Sequence, residues 1–227
     1  LYRCPHFDGA GGGRLENRSR FALEVYRTIR SRVGPGFPVS IKLNSADFQK
    51  GGFSEEDSLA VAQMLAEAGV DLLEISGGTF ENPVMTGLNI KPSTREREAF
   101  FIDYAEKVRK SVDVPLAVTG GFRSAGGMAA AVESGATDLV GLARPFCLDP
   151  AFPAAILKGR DYQSPVRPIR TGFKRVDDAG ILEVGWYAVQ LRLMGAGKPV
   201  KPDLSPWTAL YHTVVGQGLQ SIGRRQG

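Results

Sequence analysis

Apolar positions along this chain recur with two alternating periods. Leu15, Ala22, Val25, Ile29 and Val33 follow one another at helical spacing, with Arg18, Glu24, Arg27 and Arg30 filling much of the rest. This predicts a helix that buries the Leu15–Val33 face. It stops at Gly34-Pro35-Gly36, where glycine can take the left-handed terminal conformation and proline cannot continue the ladder. The period then drops to two: Val39, Ile41 and Leu43 share one face of a strand, Ser40 and Lys42 the other. Ser54 followed by Glu55, Glu56 and Asp57 marks a helix start, because a hydroxyl cap and acids suit the positive end of the helix dipole. Val61, Met64, Leu65 and Ala68 continue that helix and Gly69 ends it. A second strand over 71–76 leaves through Gly77-Gly78 into a long loop reaching Pro92. Ser93 with Glu96 forms a capping box for a helix carrying Phe101, Tyr104, Ala105, Val108 and Val112. A third strand over 115–119 leaves through Gly120-Gly121, a small-residue helix runs from Ser124 to Ser134, and a fourth strand over 139–143 leaves through Arg144-Pro145. After Asp161 the rhythm is lost. A polar, proline-containing stretch leads to an apolar helix over 178–194 and to a last helix from Ser205-Pro206 to about Ile222.

Strand and helix alternating with short turns specify parallel strands joined by right-handed crossovers. Two α/β architectures accommodate four such units, a doubly wound open sheet and part of an eight-stranded barrel. A dinucleotide-binding sheet would carry Gly-x-Gly-x-x-Gly after a strand, and the sequence has none. The barrel explains more, because polar or small residues crowd the carboxyl ends of the strands, where a barrel places its active site: Lys42, Ser76-Gly77-Gly78, Thr119-Gly120-Gly121 and Arg144.

Composition narrows the class. The 227 residues are 43% hydrophobic and 23% charged, enough for a sizeable core and unlike a disordered chain. A net charge of +4 is spread over alternating signs, with only Arg224-Arg225 standing out, so no clustered basic face points to nucleic acid. No apolar run has membrane length and no signal-peptide pattern opens the chain. Two cysteines, Cys4 and Cys147, make no disulfide framework, which points to a reducing, cytoplasmic setting. His6 and His212 lack a spaced second ligand and Cys4-Pro5-His6 lacks a partner pair, so no metal site is expected. The sequence begins Leu1-Tyr2-Arg3-Cys4-Pro5, without an initiator methionine or an opening strand.

Gly120-Gly121 lets a backbone approach an anion with unhindered N–H donors, Ser124 starts a helix aimed at the same space, and Arg144 could supply a charge-assisted bond. Spacing alone leaves two readings open: a phosphate cradle, or a tight turn beside a surface ion pair. Gly77-Gly78 reads as a turn. A lysine at position 42 pointing into a barrel needs an electron-rich partner, although the pattern alone leans towards a rim lysine with its head in water. Cys147, Phe100, Phe101 and Phe122 read as packed residues, and Trp186 and Tyr187 as helix-packing residues.

Five segments in order then resemble one family. Gly12-Gly13-Arg14-Leu15-Glu16-Asn17-Arg18-Ser19-Arg20-Phe21 resembles the Gly-Gly-Ser-Leu-Glu-Asn-Arg-x-Arg-Phe signature of the Old Yellow Enzyme, or NADH:flavin oxidoreductase, flavoproteins, departing at Arg14. Lys42-Leu43-Asn44-Ser45-Ala46-Asp47-Phe48 with Gly51-Gly52-Phe53-Ser54, Leu73–Thr79, Thr119–Ser124 and Gly141–Pro145 continue the resemblance, strongly over about 10–160.

The resemblance implies a (β/α)8 TIM barrel, non-covalent FMN, NAD(P)H as reductant and ene-reductase or NAD(P)H oxidase-type chemistry. Lys42 matches the basic residue, usually Arg, beside flavin N1 and the C2 oxygen, where a positive charge stabilises the anionic reduced flavin. Gly120 and Gly121 match backbone donors to the FMN phosphate. Ala143-Arg144 matches the Gly-Arg pair that grips it. The family's substrate-binding His-His or His-Asn pair, its proton-donor Tyr and the residue contacting the flavin C4 edge belong to the first half of the barrel, which would lie before Leu1; Tyr2 and His6 stand in the wrong context, and no catalytic residue is assigned. The expected chain is thus the last four βα units over 1–160, with a helical C-terminal extension over 161–227. The expected acceptor is a small electrophilic alkene or quinone-like molecule. Exposed strand edges and an uncovered inner face call for a missing N-terminal half-barrel, a second copy, or a collapsed arrangement with the tail helices covering the gap. The alternative is a catalytically incompetent half-barrel that retains only a phosphate or FMN site.

Overall fold

The computed structural model describes residues 13–48, 51–77, 98–177 and 181–223, apart from the side chains of 181 and 216–223. Gly12, Gly78, the Ser93–Glu96 capping box, Arg224-Arg225, Cys4 and His6 lie outside the described residues. The chain forms two compact units, Leu1–Leu142 and Ala143–Gly227.

In the first unit, strands β1 (Ser40–Asn44), β2 (Leu72–Ser76), β3 (Leu116–Thr119) and β4 (Leu139–Gly141) make one parallel sheet in the order β1-β2-β3-β4. Helices α1 (Leu15–Val33), α2 (Glu55–Glu67), α3 (Ile102–Arg109) and α4 (Ala125–Glu133) alternate with them. Strand order follows chain order without reversal, so no switch point of a doubly wound sheet falls within these strands. The period-two pattern divides the sheet. Leu43, Leu73, Ile75, Leu116 and Val118 are buried on one face with Val61 and Leu65 of α2 and Ala105 and Val108 of α3. Lys42, Glu74 and Thr119 belong to the other face.

Helix starts follow the expected chemistry. Ser54 Oγ accepts the Asp57 N–H at 3.2 Å and Ser124 Oγ accepts the Gly127 N–H at 2.9 Å. Tyr104 donates to Ser58 Oγ (2.6 Å), which donates to the Asn44 carbonyl (2.6 Å), tying α3 and α2 to the end of β1. Burial pushes the Tyr104 hydroxyl up to about 12 against the opposing bond to Ser58, so it remains a donor.

Two boundaries and one face differ from expectation. The third helix starts at Ile102, leaving Phe101 as its cap and Val112 beyond its end, both buried. β4 ends at Gly141, so Arg144 opens a short 3₁₀ turn, Arg144–Cys147, and does not stand at the strand's end. On α1, Val25, Ile29 and Val33 are 41–42% exposed and Phe21 is 78% exposed; Ser19 and Tyr26 are buried instead. Polar anchors decide this rotation. Tyr26 donates to the Gly69 carbonyl, Ser19 Oγ to Met64 Sδ at 3.4 Å, and Arg30 to Asp71. These bonds turn the Ser19–Tyr26–Arg30 side of α1 inward and leave Val25, Ile29 and Val33 outside, while Leu15 and Ala22 stay half-buried.

A repeated clamp secures the strand starts. Asp71, just before β2, donates its N–H to the Val39 carbonyl (3.0 Å) and accepts the Val39 N–H on Oδ2 (2.6 Å), where Arg30 of α1 also donates. Asp138, just before β4, repeats this with Leu116 (2.8 and 2.7 Å) and Arg109 of α3. The Val39 N–H and Arg30 hold the Asp71 carboxyl below its ordinary value; the Leu116 N–H, with Arg109 against opposing desolvation, does the same for Asp138.

In the second unit, α5 (Phe152–Ile156), α6 (Lys174–Asp177), α7 (Ile181–Gly195) and α8 (Pro206–Gly223) follow the 3₁₀ turn. Cys147, Leu148, Val166, Ile169, Leu182, Trp186, Tyr187 and Ala209 form its core. Trp186 Nε1 donates to the Leu204 carbonyl at 2.9 Å, and buried Gln190 bonds the Lys201 backbone in both directions. α7 and α8 approach so closely that a Cβ on Gly185 would lie 2.3 Å from Thr213 Oγ1. Burial pushes the Cys147 thiol up, in keeping with a packed residue.

Replacing Asp138 by Ala removes the acceptor of the buried Leu116 N–H and is expected to cost about 1–3 kcal/mol in urea unfolding, with Asp138→Asn costing less. Because the Asp71 and Asp138 values are lowered on folding, the clamps contribute fully above the ordinary carboxyl value of 3.8 and lose that contribution as pH falls through the depressed values. Thermal melts between pH 7 and 3 should therefore show an acid-side decline that is shallower in Asp138→Asn.

Candidate functional site

The polar face of the sheet carries a continuous row of bonded side chains. Lys42 and Glu74 are register partners on neighbouring parallel strands, so both project to the same side. Lys42 Nζ donates to Glu74 Oε1 at 2.7 Å, and Thr119 Oγ1 donates to the same oxygen at 2.6 Å. Thr119 in turn pairs with Gly141, where a Cβ would fall 1.8 Å from Thr119 Oγ1. Partial burial raises the Glu74 carboxyl, but the bonds from Lys42 and Thr119 and the lysine charge outweigh it and leave the value below normal. Glu74 is thus a carboxylate at neutral pH. The lysine has its electron-rich partner and also stands half in water, with 51% of its side chain exposed. Pattern reading missed Glu74; the signal was present, since Lys42 and Glu74 both stand on the polar side of their strands.

The Gly120-Gly121 turn packs against the chain's own backbone. Gly121 has φ +95°, and a Cβ there would lie 1.9 Å from the Glu98 carbonyl oxygen and 2.8 Å from the Phe100 nitrogen. Gly120 (φ +110°) gives its N–H to Gly141 at 3.3 Å and accepts the Phe100 N–H at 3.2 Å. The close approach is therefore made by the chain's own 98–100 segment. Glu98 itself sits at φ +61°, and its Oε2 accepts the N–H groups of Arg123 and Ser124, both at 2.8 Å. A carboxylate of the chain thus occupies the start of α4, the place read from sequence as a phosphate cradle. Of the two glycines, Gly121 has the N–H without a partner among the described residues.

Gly77 repeats the theme. A Cβ there would meet Phe101 Cε1 at 2.5 Å and Ser45 Oγ at 2.6 Å. Ser45 Oγ is buried without a partner among the described residues.

In the second unit, Arg144 donates to Glu183 Oε2 of α7 at 3.2 Å, both side chains being largely buried, at 22% and 17% exposure. Ala143 caps the 3₁₀ turn, its carbonyl accepting the Phe146 N–H at 3.1 Å. Among the described residues no group of three or more His, Cys, Asp or Glu side chains is placed to hold a metal, and no helix is long and apolar enough to cross a membrane.

A singly wound parallel sheet with polar strand ends is the architecture of part of an α/β barrel. The sequence profile of the NADH:flavin oxidoreductase / NADH oxidase family matches residues 5–163, and the chain belongs to that family. It is 42% identical over 153 residues to the NADH-dependent flavin oxidoreductase iliE of Neonectria sp. (strain DH2), covering 63% of this chain and 20% of that protein. It is 32% identical over 171 residues to the cinnamate reductase of Clostridium sporogenes, covering 69% of this chain and 25% of that protein. Among solved structures, a 2-naphthoyl-CoA reductase in complex with 2-naphthoyl-CoA superposes with a TM-score of 0.63 at 25% identity, covering 77% of this chain and 26% of that one. The four βα units are part of a TIM barrel fold, as the resemblance implied. The chain spans 20% to 38% of the length of the first curated relatives it matches.

Gly121→Ala is expected to lower stability by about 2–3 kcal/mol, since the new methyl group meets backbone and the φ is strained. Gly126→Ala, in α4 with nothing within 4 Å of its Cβ, should instead stabilise by about 0.4–1 kcal/mol. Opposite shifts in thermal melting check the assignment of the Glu98 contact.

Proposed function

We propose that this chain is part of an FMN-dependent NAD(P)H oxidoreductase of ene-reductase type, acting on a small electrophilic alkene. The observation that carries this reading is Lys42: a half-exposed ammonium on the polar face of a barrel sheet, in a member of a flavin oxidoreductase family. The donor set fits FMN. An ammonium has three N–H donors, and Glu74 takes one, leaving donors for an electron-rich heterocycle. In the first unit Gly121 supplies an N–H for an anion, with Gly120 shaping the turn; in the second unit Ala143-Arg144 matches the family's phosphate-gripping pair by a backbone donor and a guanidinium. Glu183 competes with phosphate for Arg144, so engagement of that arginine exchanges one anion for another.

When bound, FMN supplies the two-electron chemistry that links NAD(P)H to the acceptor. In the first unit Lys42 would bind and orient it by charge and hydrogen bond and Gly121 by its amide. A relative named cinnamate reductase supports a conjugated alkene as acceptor. Two cysteines in the whole sequence support a reducing, cytoplasmic setting.

FMN should quench and be retained on titration into the purified protein, and Lys42→Ala should weaken it about tenfold or more, the worth of a charge-assisted bond. NADH oxidation with an enone acceptor, dependent on added FMN, completes the test. Failure of the complete gene product to retain FMN rejects the reading, and retention without turnover leaves only a binding role.

A further inference from the structure

Glu74 is an unexpected residue beside a cation meant to favour a reduced flavin. It projects from the strand position directly opposite Lys42, and its Oε1 accepts two bonds at once, from Lys42 Nζ at 2.7 Å and Thr119 Oγ1 at 2.6 Å. Thr119 is itself buried, and its side chain fills the space where any Cβ on the facing residue, Gly141, would stand. The carboxylate is therefore fixed by two strands, and the glycine on a third leaves room for the residue that fixes it.

We propose that Glu74 is a positioning residue that sets the reduction potential of the bound cofactor, offsetting the Lys42 charge and holding the potential down. This rests on the FMN reading above. Reduction of FMN by NADH takes two electrons and one proton, leaves NAD⁺, and adds one negative charge to the flavin ring. An isolated ammonium nearby would favour that added charge. An ammonium paired with a carboxylate favours it less, because the carboxylate's opposing field offsets part of the ammonium's, increasingly so for charge spread over the far parts of the ring. Lys42 thus retains hydrogen-bond donors for the ring while its effect on the electron affinity is moderated. Thr119 contributes by keeping the carboxylate in place. A residue that merely braced the lysine would, when replaced, weaken FMN binding and leave the potential unmoved or more negative, because the lysine charge would be less well placed.

The test uses the FMN-loaded protein with two readouts: FMN affinity by fluorescence titration and midpoint potential by spectroelectrochemical titration. Glu74→Gln should shift the oxidised–reduced equilibrium about tenfold towards the reduced form, about 30 mV more positive for a two-electron couple. Lys42→Met should shift it in the opposite direction. Glu74→Ala, which removes the charge without an amide, gives the same sign and serves if Glu74→Gln does not fold. A potential that is unchanged or more negative in the Glu74 variants, with FMN still bound, overturns this inference and leaves the FMN reading standing. Wild-type protein that binds no FMN overturns both.

Discussion

The first unit is organised around one row of polar bonds on an otherwise apolar parallel sheet. A sheet flanked by helices buries one face completely, and Leu73, Ile75, Leu116 and Val118 do so here. The other face carries ions, and ions in a partly dry setting are tolerated only when paired and hydrogen-bonded. Lys42, Glu74 and Thr119 meet that requirement across three strands, and Gly141 on the fourth leaves the space Thr119 needs. Strand register, the glycine at the end of β4 and the ionisation of Glu74 all follow from it. Shifting β2 by one residue would send Glu74 into the apolar layer and Ile75 onto the polar face.

The starts of the strands solve a different problem. There the Asp71 and Asp138 carboxylates close off the first N–H of β1's lead-in and of β3, and an arginine from the last turns of α1 and α3 completes each clamp. The same device used twice in alternate βα units is a structural repeat, placed at the end of the sheet that barrels use for stability. The Lys42 row stands nearer the other end, which they use for chemistry. Both clamps and the Glu74 pair depend on ionised carboxylates, so acid weakens the scaffold and the site together.

Carboxylates of the chain also occupy the features that invite an external anion. Glu98 holds the amides at the start of α4 and Glu183 holds Arg144. Glycine pairs and helix starts look alike in sequence whether they face a ligand or another stretch of the same chain. At Gly121 the neighbour within 1.9 Å of an added Cβ is the Glu98 carbonyl, which makes the glycine an architectural requirement before it is anything else. The Gly120 amide is likewise held by the Gly141 carbonyl, and Arg144 by Glu183.

Much of this molecule was legible in its residues alone. Alternation of Val39, Ile41 and Leu43 with Ser40 and Lys42, the Ser54 and Ser124 caps, and the glycines ending helices are local signals, and local backbone chemistry decides local structure. The ordered motifs from Gly12 to Pro145 likewise carried family membership, because their residues are contiguous in the chain. What could not be read was everything that depends on which distant segments meet. The inward face of α1 is chosen by bonds from Ser19, Tyr26 and Arg30 to residues some 40 positions away, against its own apolar stripe. The partner of Lys42, 32 residues on, and the occupant of the α4 amides, 25 residues back, are set by sheet register and by the return of a loop. Spacing along a chain determines periodicity and caps; only folding in three dimensions decides which charge faces which, because pairing energies depend on distance in space and the sequence records distance only along the chain.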